Sequence, residues 1–147
     1  MVRLGVLVNP DAGLGGRLGF KGSDGRAEEA RAAGAEERSG PRMNEALGGI
    51  ASRLLSQLKG EGAEDGVVFL TSGGNMGADW LPEEISANSE VIHQAAAGSS
   101  GNTTAEDTKS AVQAMLEAGV ELLIYAGGDG TTRDIVEALA AADAADL

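Results

Sequence analysis

The chain has 147 residues and a formal net charge of -12, with 11 Lys plus Arg against 23 Asp plus Glu. That length suits one domain with a real core, the acidity argues against general nucleic-acid binding, and the lack of cysteine excludes disulfides and Cys-ligated zinc. No apolar run approaches the ~20 residues of a membrane span and the sequence starts on a strand rather than a signal peptide, so no membrane association and a cytoplasmic location are expected.

Lysine is confined to Lys21, Lys59 and Lys109 in a chain rich in acids, alanine and glycine. Such a composition suits a halophilic protein, because molar salt shortens the Debye length to about 3 Å and quenches self-repulsion. Greatest stability at low salt would count against that expectation. In so acidic a chain a phosphate ligand has to be held locally, by loop amides, a few cations or magnesium.

In chain order, residues 1–9 read as a first strand of near-continuous apolar character, as a parallel strand covered on both faces requires. Asn9-Pro10 ends it. Residues 11–26 carry Gly13, Gly15, Gly16, Gly19, Gly22 and Gly25, a long glycine loop that points to function or disorder. The spacing of Gly13, Gly15 and Gly19 hints at a dinucleotide fingerprint, but no helix follows at once. The better reading is a substrate or phosphate loop, with Arg17 and Lys21 either meeting phosphate or standing as solvated cations.

Residues 27–38 suit a short helix broken at Gly34, and Gly40-Pro41 a turn. Residues 42–59 form the clearest helix, with Met43, Leu47, Ile50, Leu54 and Leu58 on one face. Residues 67–70 are a second strand. The following TSGGNMG, residues 71–77, is either a tight turn or a binding loop. A short helix spans 80–87, with Pro82 near its first turn and Trp80 as a packing anchor. Residues 91–94 are a third strand, and His93 is read as structural, with no Ser or Asp partner identified. Residues 103–118 are a helix opened by a capping box at Thr103 and Glu106. The acids on its first turn, Glu106 and Asp107, favour the helix dipole, which alone accounts for them.

The stretch from Glu121 to Ala141 carries the most chemistry. Leu122, Leu123, Ile124 and Tyr125 read as a fully buried strand, and Ile135, Val136 and Leu139 as one face of a helix, with Thr131 and Asp134 placed for a capping box. Between them lie Gly127, Gly128, Asp129 and Gly130. A glycine loop entering a helix offers free N–H groups and the positive end of the dipole, which favour phosphate. Asp129 would repel a bare phosphate, so it is expected to serve magnesium or a hydroxyl proton. The alternative, a hairpin turn at Asp-Gly, needs a strand after it, and the spacing there is helical.

GGDGT after an apolar strand resembles the signature of the NAD kinase and diacylglycerol kinase superfamily. GGDGTTRDI, together with NPDAGLGG from Asn9, KGSD from Lys21 and AEDT from Ala105, resembles the ATP-NAD kinase-like branch over nearly the whole chain. The resemblance implies an ATP- or polyphosphate-dependent phosphotransferase acting on the ribose 2′-hydroxyl of NAD, with Mg2+ accompanying ATP. It implies phosphate or nucleotide binding by Asn9, Gly13, Gly15, Gly16, Gly127, Gly128, Gly130 and Thr131, and a catalytic Asp129. A site role for AEDT stays open beside its helix-start reading. The resembled kinases continue into a largely β domain. The sequence is therefore expected to be a single α/β domain whose C-terminal partner is missing or on another chain, and activity of this chain alone is left open.

Strands alternating with helices predict an α/β fold, a doubly wound, mostly parallel sheet with helices on both faces. The glycine loops after Asn9, Leu70 and Tyr125 would then converge beyond the C-terminal strand ends. Rival readings are another hydroxyl acceptor, a nucleotide-binding or regulatory module without catalysis, and a structural α/β domain with incidental glycine turns. A lipid acceptor is disfavoured because no basic amphipathic segment marks a membrane-binding surface. A homo-oligomer is open.

Overall fold

Val2–Val8 forms β1, and its alternation decides the layering of the molecule. In the computed structural model, which describes residues 1–14, 27–34, 36–58, 66–95 and 103–144, Leu4, Val6 and Val8 point into one core while Leu7 points into a second. A strand clothed on both faces cannot alternate apolar with polar, hence its continuous apolar run.

The remaining elements are α1 (Ala27–Ala32), α2 (Ser39–Leu58), β2 (Val67–Ser72), two 3₁₀ turns (Gly74–Met76 and Ala78–Trp80), α3 (Glu83–Ser86), β3 (Ser89–His93), α4 (Ala105–Glu117), β4 (Leu122–Ala126) and α5 (Asp129–Ala141). The strands pair in the order β3-β2-β1-β4, all parallel. Met43, Leu47 and Ala51 of α2 and Ile85 of α3 cover one face, with Phe69 and the β1 residues Leu4, Val6 and Val8. Ala111, Val112 and Met115 of α4 and Ile135 of α5 cover the other, with Leu7 and Leu70. The doubly wound α/β fold expected from the element order is the fold observed.

Several local expectations differ. α2 begins at Ser39, so Gly40 and Pro41 lie in its first turn, where a missing proline N–H costs no helical bond. Gly40 is held against the indole of Trp80, which a Cβ would approach to 2.1 Å, so Trp80 does anchor packing. β2 runs on to Ser72, past the expected end at residue 70, and the segment after it, read as a tight turn or a binding loop, folds as two 3₁₀ turns. β4 is not fully buried. Among the described residues it is an edge strand paired with β1 alone, and Leu122 and Tyr125 are 51% and 37% exposed. Val136 is likewise 57% exposed, leaving Ile135 as the buried anchor of α5. α1 does stop before Gly34, whose φ of +90° suits glycine.

Candidate functional site

In a parallel sheet every strand ends on the same side, so the segments after Val8, Ser72 and Ala126 share one edge of the molecule. β1 is followed by a helix on one face and β4 by a helix on the other. The ends of these adjacent strands are therefore the topological switch point, the crevice at which α/β sheets bind ligands.

Two backbone segments line this crevice. The first continues β1, where Asn9 N–H donates to Ala126 O at 2.9 Å and ties it to β4. The second enters α5. The helix starts at Asp129 with Gly128 as N-cap, and Thr132 N–H donates to Gly128 O at 3.0 Å. The N–H groups of Gly128, Asp129, Gly130 and Thr131 precede that first intrahelical bond, and they carry the positive end of the dipole. No side chain among the described residues caps this helix. The capping box expected at Thr131 and Asp134 is thus absent, because the N-cap falls at Gly128, three residues before Thr131, and Thr131 is already within the helix.

Thr131 turns inward instead. Asn9 Nδ2 donates to Thr131 Oγ1 at 2.8 Å, joining the ends of β1 and β4 through side chains. Gly127 makes room for this, since a Cβ there would lie 2.5 Å from Thr131 Cβ and Oγ1. Thr131 is 3% exposed, whereas Gly127, Gly128 and Asp129 are exposed. A buried hydroxyl thus lies behind an exposed turn that carries the helix-start amides and the Asp129 carboxylate. Tyr125 and Thr132 flank it, their hydroxyls 2.9 Å apart.

The structure thus brings together Asn9, Gly127, Gly128, Asp129, Gly130 and Thr131. Gly13 lies on the segment after β1, exposed and with φ of +76°. Gly15 and Gly16, with Arg17, Lys21 and the KGSD motif, lie outside the described residues. Asp107 and Thr108 of AEDT are buried on the first turn of α4 and serve the helix start. The capping box is formed by Thr104 and Asp107, one residue beyond the expected pair: Thr104 N–H donates to Asp107 Oδ2 at 2.9 Å and Asp107 N–H to Thr104 Oγ1 at 3.2 Å.

That shift frees Thr103, which reaches back to the crevice. Its N–H donates to Asp11 Oδ2 at 2.7 Å, and its hydroxyl lies 3.2 Å from the same oxygen and 3.3 Å from Asn9 Oδ1. Asp11 lies within NPDAGLGG and Thr103 within the expected capping box, but neither pattern gives them a place at the site. The signal available was a pair of threonines before a helix, of which one can be the cap and the other is spare. His93 also differs from expectation. Its Nδ1 lies 3.0 Å from Ser72 Oγ, so it has a serine partner at the neighbouring strand ends. Burial lowers its pKa below the usual 6.5, and the Asp107 carboxylate opposes this.

A cavity of about 590 Å³ lies elsewhere, between α4 and α5, lined in part by Lys109, Leu116, Glu137 and Ala138. Lys109 Nζ and Glu137 Oε2 pair there at 2.6 Å. It shares no residue with the crevice.

The sequence profile of the ATP-NAD kinase N-terminal domain matches residues 4–144. The chain belongs to this family. No curated protein and no solved structure matches it. Membership makes the domain kinase-like and nucleotide-handling, and the crevice at the switch point is where such a fold offers a ligand its backbone amides. No helix among the described residues is long and apolar enough to cross a membrane.

Proposed function

We propose that this chain is the nucleotide-holding domain of an NAD kinase-like phosphotransferase, moving the γ-phosphoryl of ATP or polyphosphate to the ribose 2′-hydroxyl of NAD. The observation that carries this reading is the Asn9–Thr131 hydrogen bond, which fixes the floor of a crevice rimmed by the free amides of the GGDGT turn. Phosphoryl transfer asks a protein for positioning and charge stabilisation more than for covalent chemistry. The amides of Gly128, Gly130 and Thr131 would hold phosphate oxygens, and Gly127 would let backbone and phosphate come close. Asn9 and the turn through Gly13, Gly15 and Gly16 would bound the other side.

Asp129 would orient the acceptor hydroxyl and take its proton late in the transfer. A carboxylate is a weak base, so orientation is its larger part. Among the described residues no group of three or more His, Cys, Asp or Glu side chains could hold a metal on its own. Magnesium commonly binds through one or two carboxylates plus substrate phosphates. With Asp129 given to the acceptor hydroxyl, the site would take magnesium on the phosphates of ATP. Magnesium bound there with ATP would neutralise phosphate charge.

The test is Asp129→Asn and Asp129→Ala in the active enzyme. Turnover should fall at least about a hundredfold, in line with loss of a positioned acid–base group, while circular dichroism and melting stay unchanged. Near-normal turnover would sink the assignment.

A further inference from the structure

The Asn9 amide is not free to choose its orientation. The backbone N–H of Asp11 is only a donor, and it lies 3.0 Å from one amide atom of Asn9, so that atom is the oxygen. The amide nitrogen must then face Thr131, and Thr131 Oγ1 must accept from it at 2.8 Å. With its oxygen accepting, the Thr131 hydroxyl keeps its proton to donate. No described group accepts that proton, and Gly127, packed directly against Thr131, leaves the hydroxyl beside the exposed turn.

What holds this arrangement is a second layer. Asp11 is 5% exposed, and its Oδ2 accepts from Thr103 N–H at 2.7 Å, clamping the segment after β1 to the entrance of α4. The Thr103 hydroxyl, shared between Asp11 Oδ2 and Asn9 Oδ1, adds a second donor to the Asn9 oxygen. The Asp11 N–H makes a flip costly, because a flipped amide would set N–H against N–H and leave a donor unpaired, and the Thr103 hydroxyl proton adds its share to the unflipped state.

We propose that Asp11 and Thr103 are positioning residues for phosphate recognition. By fixing the Asn9 amide, they set Thr131 as a hydroxyl donor aimed at a phosphate oxygen. This inference rests on the reading of the crevice as the phosphate site. It predicts which residues act through which: Asp11 and Thr103 through Asn9, and Asn9 through Thr131.

The test is calorimetric titration with magnesium-ATP of the wild-type chain, Thr103→Val, Thr103→Ser, Asp11→Ala, Thr131→Val and the double variant Thr103→Val/Thr131→Val, with melting curves alongside. Thr131→Val should weaken binding roughly ten- to a hundredfold, the range for a hydrogen bond to a charged group. Thr103→Val should weaken it about three- to tenfold, as a partly misoriented amide would, and Thr103→Ser should restore most of the loss. In the Thr131→Val background, Thr103→Val should add less than about 1.5-fold, because the path runs through that hydroxyl. Losses that multiply in the double variant would overturn the proposal, as would wild-type affinity in folded Thr103→Val. Should Asp11→Ala fail to fold, the threonine series decides alone. If the wild-type chain binds and Thr131→Val weakens it while Thr103→Val does not, only the positioning proposal fails. Absence of wild-type binding would overturn both this proposal and the phosphate-site reading.

Discussion

Gly127→Ala puts the geometry of the crevice to a quantitative test. The added Cβ would stand 2.5 Å from Thr131 Cβ and Oγ1 and 2.6 Å from Thr131 Cγ2, where ordinary carbon contacts are about 3.5–4 Å. Thr131 is β-branched, buried and held by Asn9, so it cannot swing away cheaply. Overpacking of this kind costs about 1–3 kcal/mol, and loss of the Asn9–Thr131 bond adds about 1 kcal/mol. The expected total is about 2–4 kcal/mol, roughly 4–16 °C in Tm for a chain of this size. Gly128→Ala is the control. Its Cβ meets nothing within 4 Å and its φ of -103° suits any residue, so it should cost under about 1 kcal/mol, the penalty of alanine at an N-cap. Urea unfolding followed by circular dichroism reads both. A Gly127→Ala variant within about 0.5 kcal/mol of wild type, or no more destabilised than Gly128→Ala, would refute the close approach on which the site is built.

Other consequences follow from single residues. Thr104→Ala removes the side chain that caps α4 and should cost about 0.5–2 kcal/mol, whereas Glu106→Ala, at the position the sequence pattern favours, should change stability by less than about 0.5 kcal/mol; equal losses in urea melts would contradict the capping assignment. Met115→Ala empties a fully buried position under Leu7 and Val120 and should cost about 2–5 kcal/mol in the same assay, with a loss under about 1 kcal/mol counting against the second core. For His93 the folded state disfavours the charged form, so below the usual 6.5 the unfolded chain binds protons more readily. Its contribution is therefore full above pH 6.5, declines as pH falls through that value, and stops falling below the lowered native pKa. His93→Gln should flatten the fall in stability as pH drops below about 6.5; an unchanged slope would remove histidine from the explanation.

The large features were legible because periodicity reports them. β1 and α2 carry patterns that only a doubly covered strand and a packed helix need, and the glycine segments fall at strand ends because parallel strands all stop on one side. What could not be read was set by tertiary neighbours. An apolar run such as Leu122–Tyr125 looks the same in a central and an edge strand, since strand order is not in the run itself. The N-caps fall one residue after Thr103, at Thr104, and three before Thr131, at Gly128, because threonines crowd both entrances and the cap is chosen by its surroundings. Asp11 and Thr103 are separated by 92 positions, so only the fold brings them together. Asn9 and Asp129 were legible from motif, while the side-chain bond that joins Asn9 to Thr131 was not.

The central claim is that nucleotide phosphate sits between the ends of β1 and β4. The most direct measurement is a titration of the isotopically labelled chain with magnesium-ATP, followed by amide chemical shifts. The largest shifts should fall at Asn9 and at Gly127 to Thr131, and they should shrink in Asn9→Ala. Shifts centred on Lys109, Leu116 and Glu137 would place the ligand in the cavity between α4 and α5, and no shifts at saturating ligand would contradict nucleotide binding by this domain.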